Sequence, residues 1–317
     1  MTYFVTAPSV YADDVFSTYL YTGTGSSQSL NNGLNLSGEG GLVWLKKRSS
    51  TGNHWVFDTE RGANSRLLTN TNGDAFTGVE GLSFNSNGFT VNSDSSINAS
   101  GEDHVMWSFR KAPGFFDIVT YTGNGSVRTI SHNLGSVPGM IICKRLDASS
   151  QWPVWHRSVS LNTTTKLQLE ESSAAANSAN MFTSTAPTST EFTIGTHSNI
   201  NEDGGTYVAY IFAHDDQSFG TNGDESIIKC GSYTTNSSGV IPDVNLGFEP
   251  QWLLIKNTST SANWYLYDSM RGMPVGSNEE TLYPNLSNAA VTGANTVELT
   301  STGFTSCLLY TSDAADE

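Results

Sequence analysis

Basic residues are scarce in this chain. Only 15 of its 317 residues are Lys or Arg, against 30 Asp and Glu, for a net charge of −15. Gripping nucleic acid takes a basic stripe that displaces counterions from phosphates, and the sequence has none. Anionic membrane surfaces are disfavoured for the same reason. Cysteine is scarcer still: Cys143, Cys230 and Cys307 offer neither a paired framework nor metal-ligand spacing, and read as small buried hydrophobes. No apolar run approaches the ~18–20 residues that span a bilayer, so no membrane insertion is expected. The opening "MTYFVTAPSVYADDV" lacks the basic n-region of a secretory signal. Helical periodicity is nearly missing too, and "LQLEESSAAANSAN" is the single candidate for a short helix.

Catalytic signatures are also lacking. "GTGSS" and "GNGSV" have neither the third Gly of a dinucleotide fingerprint nor the Lys of a phosphate loop, and they lie between strand patterns, so they read as turns. There is no nucleophile elbow. The six histidines have no zinc-like spacing, and His156 beside Trp152 and Trp155 reads as packing or hydrogen bonding. Asp58, Glu60, Glu170, Glu171, Glu202 and Asp203 would be the raw material of a glycosidase carboxylate pair, but read as solvated loop acids. "NSDSSINAS" and "NINEDGG" carry oxygen ligands without the ordered spacing of a calcium loop. A non-enzymatic protein with no cofactor and no metal is expected.

Glycine, at 30 residues, and Ser, Thr and Asn are plentiful, which is the composition of short strands joined by tight turns. Aromatic residues at 11% supply cores and argue against disorder. The turns and strands recur. "YLYTGTG" returns as "VTYTGNG" and more weakly as "GSYTTNSSG"; "NLSGEGGLVWLKKR" returns as "NLGSVPGMIICKR" and "NLGFEPQWLLIKN". Tyr121 and Tyr233, Asn133 and Asn245, Lys144 and Lys256, Trp152 and Trp264, and Phe192 and Phe304 are each 112 positions apart. The reading is an N-terminal arm (1–14) and three β-sandwich, jelly-roll-like repeats over 15–114, 115–223 and 224–306. The third repeat is expected to be incomplete, because the counterpart of "INEDGGTYVAYIFA" does not follow Phe304.

Within each repeat, "HVMWSFR" and "YVAYIFA" alternate as half-buried strands do. "MIIC" and "WLLI" read as central strands covered on both faces, with Lys144 and Lys256 carrying the chain back to water. Trp55, Asp58 and Arg61 align with Trp264, Asp268 and Arg271 if one residue is inserted after the tryptophan. An aromatic face with an Asp–Arg fork is what a sugar site needs, and these six are the candidate ligand-binding residues, with Trp264 or Arg271 then expected at an exposed groove. The same residues equally suit an Asp–Arg pair pinning a loop while Trp fills the core.

"ADDVFSTYLYTGTG", "GEGGLVWLKKR", "DTERG" and "SHNLGSVPGMIICKR…QWPVWHRS…GGTYVAYIFA" resemble a repeat domain of virion proteins from tailed phages, frequent in marine viral sequence and labelled tail-fibre or structural. The resemblance covers about residues 12–306. It implies a virion component with other virion proteins as partners, host-surface glycan as ligand, and no catalytic residues. The second repeat departs from the pattern, offering His156-Arg157 in place of the Asp-x-x-Arg-Gly of Asp58–Gly62 and Asp268–Gly272. The closing "CLLYTSDAADE" (307–317) resembles the translation of a transposon adapter used for sequencing libraries, which implies a non-native tail.

Overall fold

Alternating apolar residues and Gly-rich turns make an all-β protein, described by a computed structural model over residues 9–306 apart from 79–80, 162, 274–279 and 294–295. The non-native-tail expectation lies outside the described residues. The first repeat runs through β1 (Phe16–Thr22), β2 (Gln28–Asn31), β3 (Gly41–Lys47), β4 (His54–Asp58), β5 (Ser65–Leu68), β6 (Phe76–Thr77), β7 (Leu82–Asn85), β8 (Gly88–Val91) and β9 (Asp103–Arg110). They form an antiparallel six-stranded sheet, β1-β9-β3-β4-β5-β6, and a smaller sheet, β2-β8-β7. The second repeat has β10 (Phe116–Thr122), β11 (Arg128–Ser131), β12 (Pro138–Arg145), β13 (Pro153–His156), β14 (Thr165–Gln168), β15 (Ala176–Asn177), β16 (Glu191–Ile194) and β17 (Thr206–Ala213). Its sheets are β10-β17-β12-β13-β14-β15 and β11-β16, the same order with the same crossovers. The third has β18 (Val244–Asn245), β19 (Trp252–Lys256), β20 (Trp264–Asp268), β21 (Glu298–Thr300) and β22 (Gly303–Thr305), arranged as β19-β20 and β18-β22-β21.

Each small sheet covers one face of its large sheet. Leu30, Phe89 and Val91 pack on Val43, Leu45, Phe57 and Met106 in the first repeat. Ile130, Phe192 and Ile194 pack on Ile141, Cys143 and Ile211 in the second. Val244, Leu299 and Phe304 pack on Leu253 and Tyr267 in the third. The opposite faces of all three large sheets meet in one shared core. It takes Trp44, Val56 and Trp107 from the first repeat, Ile142, Val154 and Tyr210 from the second, and Trp264 and Leu266 from the third. The period-two pattern of β9 and β17 therefore separates one core from another rather than core from solvent. Val105, Trp107 and Phe109 enter the shared core while Met106 enters the repeat's own. Ser108, on the side that a half-buried strand would turn to water, is buried and accepts from Asn32 Nδ2 at 2.9 Å.

Two further expectations change. "LQLEESSAAANSAN" forms no helix: Leu167 and Leu169 alternate with period two into the shared core, and Thr165–Gln168 pairs with β13 as β14. Lys144 does not carry its strand to water, being fully buried, as is Lys46. The helical segments are short, and among the described residues none is long and apolar enough to cross a membrane. Two of them fix the turn signature. The turns Ser95–Asn98 and Ser198–Asn201 are capped by Asp94 and His197. Tyr21 and Tyr121 donate to their Ile97 and Ile200 carbonyls. A Cβ on Gly23 or Gly123 would lie 2.1 Å from a carbonyl oxygen of the same segment, which explains the glycine in "YTGTG" and "YTGNG". Phe192 and Phe304 occupy like strands, but Tyr121 lies in β10 whereas Tyr233 lies in irregular chain.

Candidate functional site

Strand register decides which residues of the three copies are equivalent. Lys46 lies opposite His54, and Lys256 lies opposite Trp264. Leu45 lies opposite Trp55, and Ile255 lies opposite Tyr265. Val56, Val154 and Leu266 hold one position, opposite Trp44, Ile142 and Leu254. His54 thus matches Trp152 and Trp264, each two residues before that position. Trp55 matches Tyr265, and the inserted residue proposed from the sequence does not exist. Because β-strand side chains alternate, the one-residue difference puts the two tryptophans on opposite faces. Trp55 lies in the first repeat's own core with the Arg66 guanidinium 4.1 Å from its ring, while Trp264 lies in the shared core. Neither is at a groove: Trp264 is 3% exposed and Arg271 is 5% exposed, against the expectation of an exposed sugar face.

Asp58 and Arg61 do correspond to Asp268 and Arg271, and both pairs are built alike. Asp58 ends β4 and caps the following turn, accepting from Arg61 N at 2.8 Å; Asp268 ends β20 and accepts from Arg271 N at 2.9 Å. Each arginine Nε then donates to the second oxygen of the same carboxylate, at 2.5 and 2.6 Å. Arg61 Nη2 reaches Val56 O and Arg271 Nη2 reaches Leu266 O, both at 3.2 Å. A buried ion pair is tolerated only when its remaining donors and acceptors are also satisfied, and here the neighbouring repeat completes them. Tyr210 Oη donates to Asp58 Oδ2 at 2.7 Å, and Trp107 Nε1 donates to Asp268 Oδ2 at 2.8 Å. Burial alone would lower the Arg61 pKa, but Tyr210 and Asp58 outweigh it and hold the guanidinium above its ordinary value. Burial holds Tyr210 well above the usual phenol range, so it stays a proton donor.

A second set of contacts, missed in the sequence, runs around the same junctions. Lys144 Nζ donates to Asn72 O of the first repeat at 3.3 Å and to Ser150 O at 2.9 Å. Lys256 Nζ donates to Ser172 O of the second repeat at 2.9 Å. Lys46 Nζ reaches Ser287 O of the third at 3.5 Å. Trp152 Nε1 donates to Leu68 O at 3.0 Å, and Trp264 Nε1 donates to Gln168 O at 2.7 Å. Backbone pairs follow suit: Ala75 N to Leu146 O, Ala175 N to Thr258 O, and Ala290 N to Arg48 O. Each repeat grips the one before it, and the first grips the third, so the three close into a ring with approximate threefold equivalence. The signal was present in the sequence as a lysine ending the same apolar strand in every copy of a chain poor in lysine. Burial lowers Lys46 to about 7 and Lys144 to about 8.

The other candidates are dispersed. Glu60 pairs with Lys111 at 2.7 Å. Glu170 is buried, which raises its pKa, and accepts from Trp152 N at 3.0 Å. Glu171 accepts from Ser173 Oγ, and Glu202 and Asp203 lie exposed on the turn before β17. Asp94, in the first oxygen-rich loop, caps a helical turn and pairs with Arg66. His156 Nδ1 accepts from Ser158 N at 3.3 Å. Among the described residues no three His, Cys, Asp or Glu side chains are grouped to hold a metal. A cavity of about 10 Å³ between Trp44, Val56, Ile142, Trp152 and Tyr210 has room for about one water.

Fold and junctions define an all-β scaffold of three repeats that brace one another through buried polar contacts. The chain belongs to the family DUF7483, a domain of unknown function, whose model matches residues 11–308 as a single span across all three repeats. No curated protein and no solved structure matches it.

Proposed function

We propose that this chain is a non-enzymatic structural module of a virion, whose recurrent charged and aromatic residues hold its repeats together rather than hold a ligand. The observation that carries the reading is the burial of both Asp–Arg pairs, with Tyr210 and Trp107 of adjacent repeats completing them. A sugar site needs its aromatic face and its fork open to solvent, whereas these are closed by the protein itself. The resemblance of the repeats to tailed-phage virion proteins supplies the setting, with other virion proteins as partners. Immunogold labelling of particles that encode a relative should mark the virion. A glycan array probed with the labelled full-length chain should stay blank. Labelling confined to infected-cell lysate, or reproducible binding to one glycan class abolished by Arg271→Met without loss of folding, would overturn the reading.

A further inference from the structure

The three junctions follow one plan, and one of them departs from it. At the first–second junction Trp152 Nε1 crosses to Leu68 O and Lys144 Nζ to Asn72 O. At the second–third, Trp264 Nε1 crosses to Gln168 O and Lys256 Nζ to Ser172 O. At the first–third junction the position of the two indoles is held by His54. Its Nδ1 accepts from Trp44 Nε1 of its own repeat at 3.1 Å, and its Nε2 is buried without a hydrogen-bond partner. The lysine contact is also the longest of the three: Lys46 Nζ lies 3.5 Å from Ser287 O, against 3.3 Å for Lys144 and 2.9 Å for Lys256. A titratable ring thus stands where the other junctions have an indole, and it and Lys46 are both fully buried.

The charge around these two groups is one-sided. Lys47 on the same strand and Arg271 of the third repeat both oppose a charge on Lys46. Burial, then Lys46 and Arg271, holds His54 well below the ordinary imidazole range, and only the Tyr283 backbone favours its protonation. On β9, Val105 lies opposite Lys46 and His104 opposite Lys47. Among the described residues the carboxylates of this junction are already engaged: Asp268 by Arg271 and Trp107, Glu280 by Arg48 at 2.9 Å, and Asp103 by Arg48 at 3.8 Å. Lys144, by contrast, faces Glu170, Asp74 and Asp147, which favour its charge against Arg145. Lys256 is only half-buried.

We propose that the junction between the first and third repeats is a proton-operated latch: protonation of Lys46 and His54 parts it, and the ring opens there while the other two junctions stay shut. Parting lets water reach both groups, which then titrate at their ordinary values, so opening takes up protons. Lys46 titrates near 7 while the latch is closed, so lowering the pH through this group favours opening down to about pH 7 and adds little below it. His54 takes over below the ordinary imidazole value of roughly 6.5. From pH 8 to 5.5 the two groups together raise the opening equilibrium about hundredfold. Lys144, lowered only to about 8, contributes about twofold at its own junction, and Glu170 beside it, raised by burial, works the other way. The latch is a property of the ring itself and does not depend on the structural-module reading.

Hydrogen exchange of the full chain between pH 8 and 5.5, corrected for intrinsic amide rates, reads each junction separately. Gly52 N and Ala290 N cross the first–third junction to Ser287 O and Arg48 O. Ala75 N crosses the first–second junction to Leu146 O, and Ala175 N the second–third to Thr258 O. Protection at Gly52 and Ala290 should fall about hundredfold over this range and return on neutralisation, with Ala75 and Ala175 losing less than about fivefold. Lys46→Met combined with His54→Gln, whose amide oxygen can still accept from Trp44, should remove the fall. If that variant does not fold, the comparison of the three junctions in the unchanged protein decides by itself. Equal loss at all three junctions, or a loss at Gly52 and Ala290 within about fivefold, would overturn the proposal. So would an undiminished fall in the folded double variant.

Discussion

Replacing Asp268 by alanine is the most severe test of the claim that the Asp–Arg pairs are structural. The carboxylate is fully buried and takes three hydrogen bonds, from Arg271 N, Arg271 Nε and Trp107 Nε1. Removing it strands the Arg271 guanidinium, itself buried and stacked 5.4 Å from the Trp107 ring. Breaking a buried pair by deleting one partner costs about 3–5 kcal/mol. The orphaned indole N–H adds about 1–3 kcal/mol. The sum is comparable to the whole margin of roughly 5–15 kcal/mol that holds a domain folded. Asp268→Leu with Arg271→Met removes the charge problem and should recover most of the loss, leaving about 1–3 kcal/mol for the Trp107 donor. The assay is urea unfolding followed by far-ultraviolet circular dichroism, with hydrogen exchange reporting where structure is lost. Damage should concentrate where the first and third repeats meet. A single variant within about 1 kcal/mol of the parent would refute the reasoning, because only a solvated pair is that cheap to break.

Other outcomes follow from the same junctions. Lys46 titrates near 7 when folded and at its ordinary higher value when unfolded, so between these the unfolded chain binds more protons and stability rises with pH. The unfolding free energy from urea titrations should therefore climb from pH 7 to 9.5, by up to about 1.4 kcal/mol per pH unit from this group, with Lys144 adding its share above pH 8; Lys46→Met should flatten the rise between pH 7 and 8. Trp264→Phe keeps an aromatic ring but loses part of the indole and the bond to Gln168 O, and should cost about 1–3 kcal/mol or more and speed amide exchange at the contact between the second and third repeats. Burial pushes the Cys143 thiol up to about 12, so peptide mass spectrometry should find it unlabelled by iodoacetamide at pH 8 until the protein is denatured; rapid native labelling would contradict the packing around β12.

Much of the architecture was legible in the residues themselves. Turn composition and period-two strands dictate an all-β chain, because alternation and Gly-rich turns act within a few neighbours. The 112-residue register carried Lys144, Trp152 and Phe192 onto Lys256, Trp264 and Phe304 at like positions in the fold. The Asp–Arg pairing was readable as well, since a capping Asp and an Arg three residues on meet within one turn.

What sequence could not supply was the second face of each large sheet. Alternation says that two faces differ but not that both are dry. Lys144 looked like a surface residue until the ring closed over it, and Ser108 and Lys46 are buried by the same closure. Closure depends on contacts as distant as Lys46 with Ser287 and Gly52 with Ser287, and no local pattern encodes them. It also inverted the meaning of the aromatic–arginine segment. The same Trp264, Asp268 and Arg271 that would bind a sugar on an open surface become a brace once Trp107 of another repeat is laid against them. Residue type fixes which interactions a side chain can make; only tertiary packing decides whether water, a ligand or the protein's own next repeat makes them.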